Sequence, residues 1–134
     1  GIDGLAFSGD GVLYVNNVRS NQLFRVEQTS AGKIGALTNL QLSMEIGGPD
    51  GMRLLDGNRF IQAESSIGRI SLIDIAGDAA TITTLDDSFL SSPGVTTVGN
   101  TAYALESNIS YLLDPNLRGQ EPAAFIVTAL PLPE

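Results

Sequence analysis

A weak internal repeat constrains this chain more than any other feature. Ile2-Asp3-Gly4-Leu5-Ala6-Phe7, Pro49-Asp50-Gly51-Met52-Arg53-Leu54 and Ser92-Pro93-Gly94-Val95-Thr96-Thr97 head three successive copies. Asp3 and Asp50 stand 47 positions apart, and Pro49 and Pro93 stand 44 apart. Each head runs into a turn and a second strand pattern. The turns are Ser8-Gly9-Asp10-Gly11, Asp56-Gly57-Asn58 and Gly99-Asn100; the strands that follow are Val12–Val15, Arg59–Gln62 and Thr101–Ala104. Gly, Asn and Asp tolerate the positive φ of a tight hairpin turn, so these clusters read as hairpins.

Third strands follow as Gln22–Val26 and Arg69–Ile73, and fourth strands as Gly35–Leu40 and Ala80–Leu85. Four strands in a period of about 45 residues are the mark of a propeller blade. The fold class is therefore read as all-β: three blades of four-stranded antiparallel sheet, about half of a six-bladed β-propeller. The blades are assigned to 1–47, 48–91 and 92–134. The third copy departs from the others: a polar stretch, 116–122, precedes Phe125–Leu130. That segment is read as a third strand, with the fourth strand missing and Pro131 and Pro133 ending the pairing. Twelve or slightly fewer strands are expected, with no helix longer than two turns. The alternative is a sandwich or small barrel, which requires no such repeat.

Composition narrows the chemistry. Hydrophobic residues make up 43% of the chain, enough for one core, and charged residues only 16%. Net charge is −8. An acidic surface repels phosphate, so no nucleic-acid partner is expected, and without a polybasic segment neither is a membrane surface. There is no Cys and no His. Disulfides, zinc–thiolate sites, a Ser-His-Asp triad and imidazole ligands are thereby excluded. Hydrolysis would rest on carboxylates, amides, hydroxyls, backbone groups or a metal ion. The start at Gly1 is read as a processed or truncated end. No signal peptide is visible; a secreted or extracytoplasmic setting is favoured, with the compartment left open.

The Asp-Gly-Leu-Ala-Phe and Pro-Asp-Gly-Met heads, with Val12–Asn17 and Asn21–Val26 as second and third strands, resemble the gluconolactonase/regucalcin-like six-bladed propellers. The ending Phe125–Pro133 resembles a natural C-terminus of that family. The resemblance implies one divalent cation, calcium, in the central channel, held by a Glu from an early blade, an Asn and an Asp. Asp50 matches the Asp. Asp3 falls where the family carries Asn, a departure that keeps an oxygen ligand and adds charge. The early Glu has no counterpart here. Lactonase members use the metal to polarise the carbonyl and the Asp as acid and base, a role that falls to Asp50.

The metal candidates are therefore Asp3 and Asp50, and the catalytic candidate is Asp50. Asn17, Glu64 and Glu106 end the second strands at matching positions and are candidates for the channel wall or a substrate contact, as is Arg53. Ordinary turn chemistry for the Asp-Gly pairs and solvent-facing strand ends for the others are the competing readings. The Asp3 and Asp50 carboxylates are expected near each other at one end of the axis. Two functions follow: metal-dependent hydrolysis of a lactone or related ester, a small-molecule substrate, or a non-catalytic propeller that binds a ligand or protein. Half a ring leaves apolar flanks, so the remaining blades are expected from the same parent chain or from a second copy.

Overall fold

A computed structural model describes every residue, Gly1 to Glu134. Three twisted sheets follow one another along the chain. The first holds β1 (Ile2–Phe7), β2 (Leu13–Asn17), β3 (Gln22–Gln28) and β4 (Ile34–Asn39), in that order. The second holds β5 (Gln41–Leu42), β6 (Pro49–Asp56), β7 (Arg59–Glu64), β8 (Arg69–Ala76) and β9 (Ala79–Asp86), in the order β5-β9-β8-β7-β6. The third holds β10 (Gly94–Val98), β11 (Thr101–Glu106) and β12 (Ile126–Pro131). The architecture is that of half a six-bladed β-propeller. The helical content is the single turn α1 (Ser110–Leu113).

Three two-residue hairpins share one chemistry. Gly57, Gly77 and Gly99 open them with φ of 47°, 60° and 55°, and the Asn or Asp that follows keeps a negative φ. Glycine at the first central position alone is the type II′ requirement, whose twist matches that of the flanking strands.

The structure differs from the sequence expectation at two places. Gln41–Leu42, within the stretch assigned to the first blade, pair in parallel with β9. The chain leaving β4 must cross to the inner strand of the next blade, and on its way it caps that blade's outer edge. Pro131 does not end the pairing: it lies opposite Thr101, and the amide of Leu132 still donates to Asn100 O at 2.8 Å. β12 is an edge strand, where a missing N–H costs no ladder bond.

The core forms two layers, one on each face of the middle blade. Between the first and second blades lie Tyr14, Leu23, Met52, Phe60, Ile73 and Ile82, with the rings of Tyr14 and Phe60 edge to face at 5.3 Å. Between the second and third lie Ile61, Ala63, Ile70, Val95, Ala102, Ala104 and Leu130. Phe60 to Glu64 are consequently buried without alternation, because both faces of β7 are covered. The outer blades have one covered face each. On the first, Leu5, Phe7 and Leu37 are exposed; on the third, Val98, Tyr103, Leu105 and Val127 are.

Candidate functional site at the heads of the inner strands

The inner strands β1 and β6 carry the same irregularity. The register slips by one residue between Ile2 and Leu5, and again between Pro49 and Met52. Each slip is a β-bulge at an Asp-Gly pair, Asp3-Gly4 and Asp50-Gly51, and bulges re-aim side chains at strand ends. The glycines are required by close approach. A Cβ on Gly4 would stand 2.0 Å from Asp50 O, and one on Gly51 would stand 2.9 Å from Pro93 O. The inner strands of neighbouring blades therefore touch at these points, and the amide of Gly51 donates to Pro93 O at 3.0 Å. Pro93 occupies the third copy of the position held by Asp3 and Asp50, so the third blade adds no carboxylate there.

This contact brings Asp3 and Asp50 together. Asp50 is half-buried and Asp3 exposed. The carboxyl of Asp50 is pushed above its ordinary value by burial first and by the negative charge of Asp3 second. Neither carboxylate has a cationic partner: the ion pairs of the molecule are Arg25–Asp78, Arg59–Asp56 and Arg69–Glu64. Arg53, three residues from Asp50, is exposed and turns its guanidinium back to Met52 O at 2.9 Å. No group of three or more acidic, His or Cys side chains gathers into a metal cluster.

A polar seam that the sequence reading did not single out supports the Asp50 backbone. Asn16 is fully buried. Its Oδ1 accepts from the amide of Gly4 at 2.7 Å, and its Nδ2 donates to Asp50 O at 2.7 Å and Gln62 Oε1 at 3.0 Å. One amide side chain thus ties both Asp-Gly bulges together. Gln62 Nε2 is the buried side-chain atom left without a partner. The alternation of Tyr14 with Asn16, and of Phe60 with Gln62, was the available signal: period two puts each amide on the same covered face as an aromatic ring.

Asn17, Glu64 and Glu106 do end the second strands, and they share one task. Asn17 Oδ1 accepts from the Gly1 terminus at 3.1 Å, Glu64 Oε2 from the amide of Gly47 at 2.8 Å, and Glu106 from the amides of Leu90 and Ser91 at 2.8 Å each. Each pins the segment that enters its own blade's inner strand. Glu64 stands inside the fold, fully buried. Arg69 meets it with two bonds, from Nε at 3.1 Å and Nη2 at 2.8 Å, and the Ser71 hydroxyl donates at 2.6 Å.

Two solved structures share this architecture. The chain aligns with virginiamycin B lyase from Staphylococcus aureus at a TM-score of 0.59 and 15% identity, covering 78% of this chain and 33% of that one. It aligns with luciferin-regenerating enzyme at a TM-score of 0.67 and 16% identity, covering 95% of this chain and 44% of that one. The chain therefore spans less than half the length of either structure. No family model matches the sequence, and a search of curated proteins finds no match.

Proposed function

We propose that this half-ring is the part of a gluconolactonase-like propeller that supplies Asp3 and Asp50 to a divalent-cation site for hydrolysis of a lactone or related ester. The observation that carries this reading is the like-charged pair at the inner-strand heads, without a cation to offset it. Two adjacent carboxylates are suitable oxygen ligands for calcium, which takes six to eight. The other ligands would come from the blades that complete the ring. A bound calcium ion would supply Lewis-acid polarisation of the substrate carbonyl.

The chain's own residues have separable tasks. Asp50 is the group suited to take the proton of an attacking water and return it to the leaving alkoxide. Asp3 adds the second negative charge. Asn16 fixes the Asp50 backbone, and the Gly4 and Gly51 contacts set the spacing between blades.

The test is a lactonase assay of the assembled ring with calcium and with chelator. Activity that needs calcium and falls at least 100-fold in Asp50→Asn supports the reading. Retained ligand binding with no hydrolysis under either condition gives the site to a non-catalytic binding propeller instead.

We further propose that other blades, from a parent chain or a second copy, cover the exposed apolar flanks of the first and third blades. A closed pair should scatter light at twice 14.0 kDa; a stable, monodisperse 14.0 kDa species contradicts a second copy as the cover.

A further inference from the structure

The connections between second and third strands are unequal. In the first two blades they are short turns, 18–21 and 65–68; in the third, 107–125 intervenes between β11 and β12. The long connection leaves from the same end of the sheets as Asp50, since Asp50 lies at the start of β6 and Glu106 at the end of the antiparallel β11. A short path of contacts joins them. Gly51 bonds Pro93 O, and two residues earlier Ser91 O accepts from the amide of Ser107 at 3.1 Å.

The connection borders an open groove of about 480 Å³, lined by Asn108, Ile109, Tyr111, Leu112, Pro122 and Phe125 among others, with no charged residue. That volume is in the range of small-molecule sites, roughly 300–1,000 Å³. Asn108 holds the connection closed: its side chain is buried, and Nδ2 donates to Ala123 O at 2.7 Å and Ala124 O at 3.2 Å. Leu112 and Phe125 are 75% and 68% exposed in this chain. In a chain of net charge −8, an uncharged lining selects against ionic ligands.

We infer that the 107–125 connection is a subsite for an uncharged alkyl or aryl group of the substrate processed at Asp3 and Asp50. This rests on the hydrolase reading and names its substrate class: lactones or esters with an apolar substituent.

The experiment compares γ-butyrolactone with a γ-lactone carrying an eight-carbon alkyl chain. Amide chemical shifts of the 134-residue chain report binding, and kcat/KM of the assembled ring reports hydrolysis. The long-chain lactone should move amides within 107–125, bind at least tenfold more tightly and be hydrolysed with the higher kcat/KM. Leu112→Glu and Phe125→Glu, both at exposed positions, should reduce the preference below twofold. Binding of the long lactone at 107–125 without any hydrolysis keeps the subsite and sinks the hydrolase reading. Hydrolysis of both lactones at equal kcat/KM, with the 107–125 amides unmoved, overturns the subsite alone.

Discussion

Two carboxylate centres stand near one another at the same end of the middle blade, and their treatment by the fold is opposite. Glu64 is fully buried, yet Arg69 meets it with two bonds and Ser71 and the Gly47 amide fill its remaining acceptor sites. Asp50, whose neighbour Pro49 lies opposite Glu64 in register, is only half-buried and is given another carboxylate as its neighbour. A carboxylate needed to build the fold receives its countercharge. One left beside a like charge, at a bulge repeated in the adjacent strand, is not explained by folding, since the pair costs stability at neutral pH. The difference separates the structural centre from the candidate functional one although both are acidic side chains at strand ends.

The largest effect should come from breaking the compensated centre. Glu64→Ala leaves the Arg69 charge partly enclosed and frees the Gly47 amide and the Ser71 hydroxyl. Removing one partner of a buried pair costs about 3–5 kcal/mol. Urea unfolding followed by circular dichroism should show a loss on that scale, whereas Asp50→Asn should leave stability unchanged or raise it. Equal losses from both substitutions would erase the distinction between the centres.

An intermediate effect should come from the contact that sets the pair. Gly4→Ala places a methyl against Asp50 O and Asn16 Nδ2 and must separate the blades locally. Overpacking of this kind costs about 1–3 kcal/mol. Gly94→Ala meets nothing within 4 Å and serves as its control, expected within about 0.5 kcal/mol of the parent in the same denaturation series.

The smallest effect is the pH dependence contributed by Asp50. Its carboxyl is raised in the folded chain, so the protonated form is the one the fold accommodates better. Stability from this group is fully present below the ordinary value of 3.8 and declines as pH rises from there through the raised value. Asp50→Asn should flatten that part of the stability-versus-pH curve. An unchanged slope in the variant would assign the pH dependence to other groups.

Much of the fold was legible because strand period and turn chemistry are local. The Asp56-Gly57-Asn58 and Gly99-Asn100 turns fall where glycine's positive φ allows a two-residue hairpin. The pairing of Gln41–Leu42 with β9 was not legible, since a parallel edge contact formed across blades leaves no periodic mark. At the site, the Asp-Gly heads announced their equivalence, but the bulges and the close inter-blade contact arise only in three dimensions. Asn17 drew attention as a polar strand end, whereas its neighbour Asn16 holds the two bulges together. The one-residue difference is a change of face: Asn16 alternates with Tyr14, whose ring packs against Phe60, and Asn17 lies on the other face. Glu64 lacked any sign of burial because its partner Arg69 lies across a turn on the next strand.

The claim that Asp3 and Asp50 act as one site is tested most directly by titrating the Asp50 side-chain carboxyl carbon with pH by NMR, in the parent chain and in Asp3→Asn. The parent should titrate above the ordinary carboxylate value. Removal of the Asp3 charge should bring the midpoint down part of the way, with the remainder held up by burial. An Asp50 midpoint that is the same in both proteins would contradict the shared site.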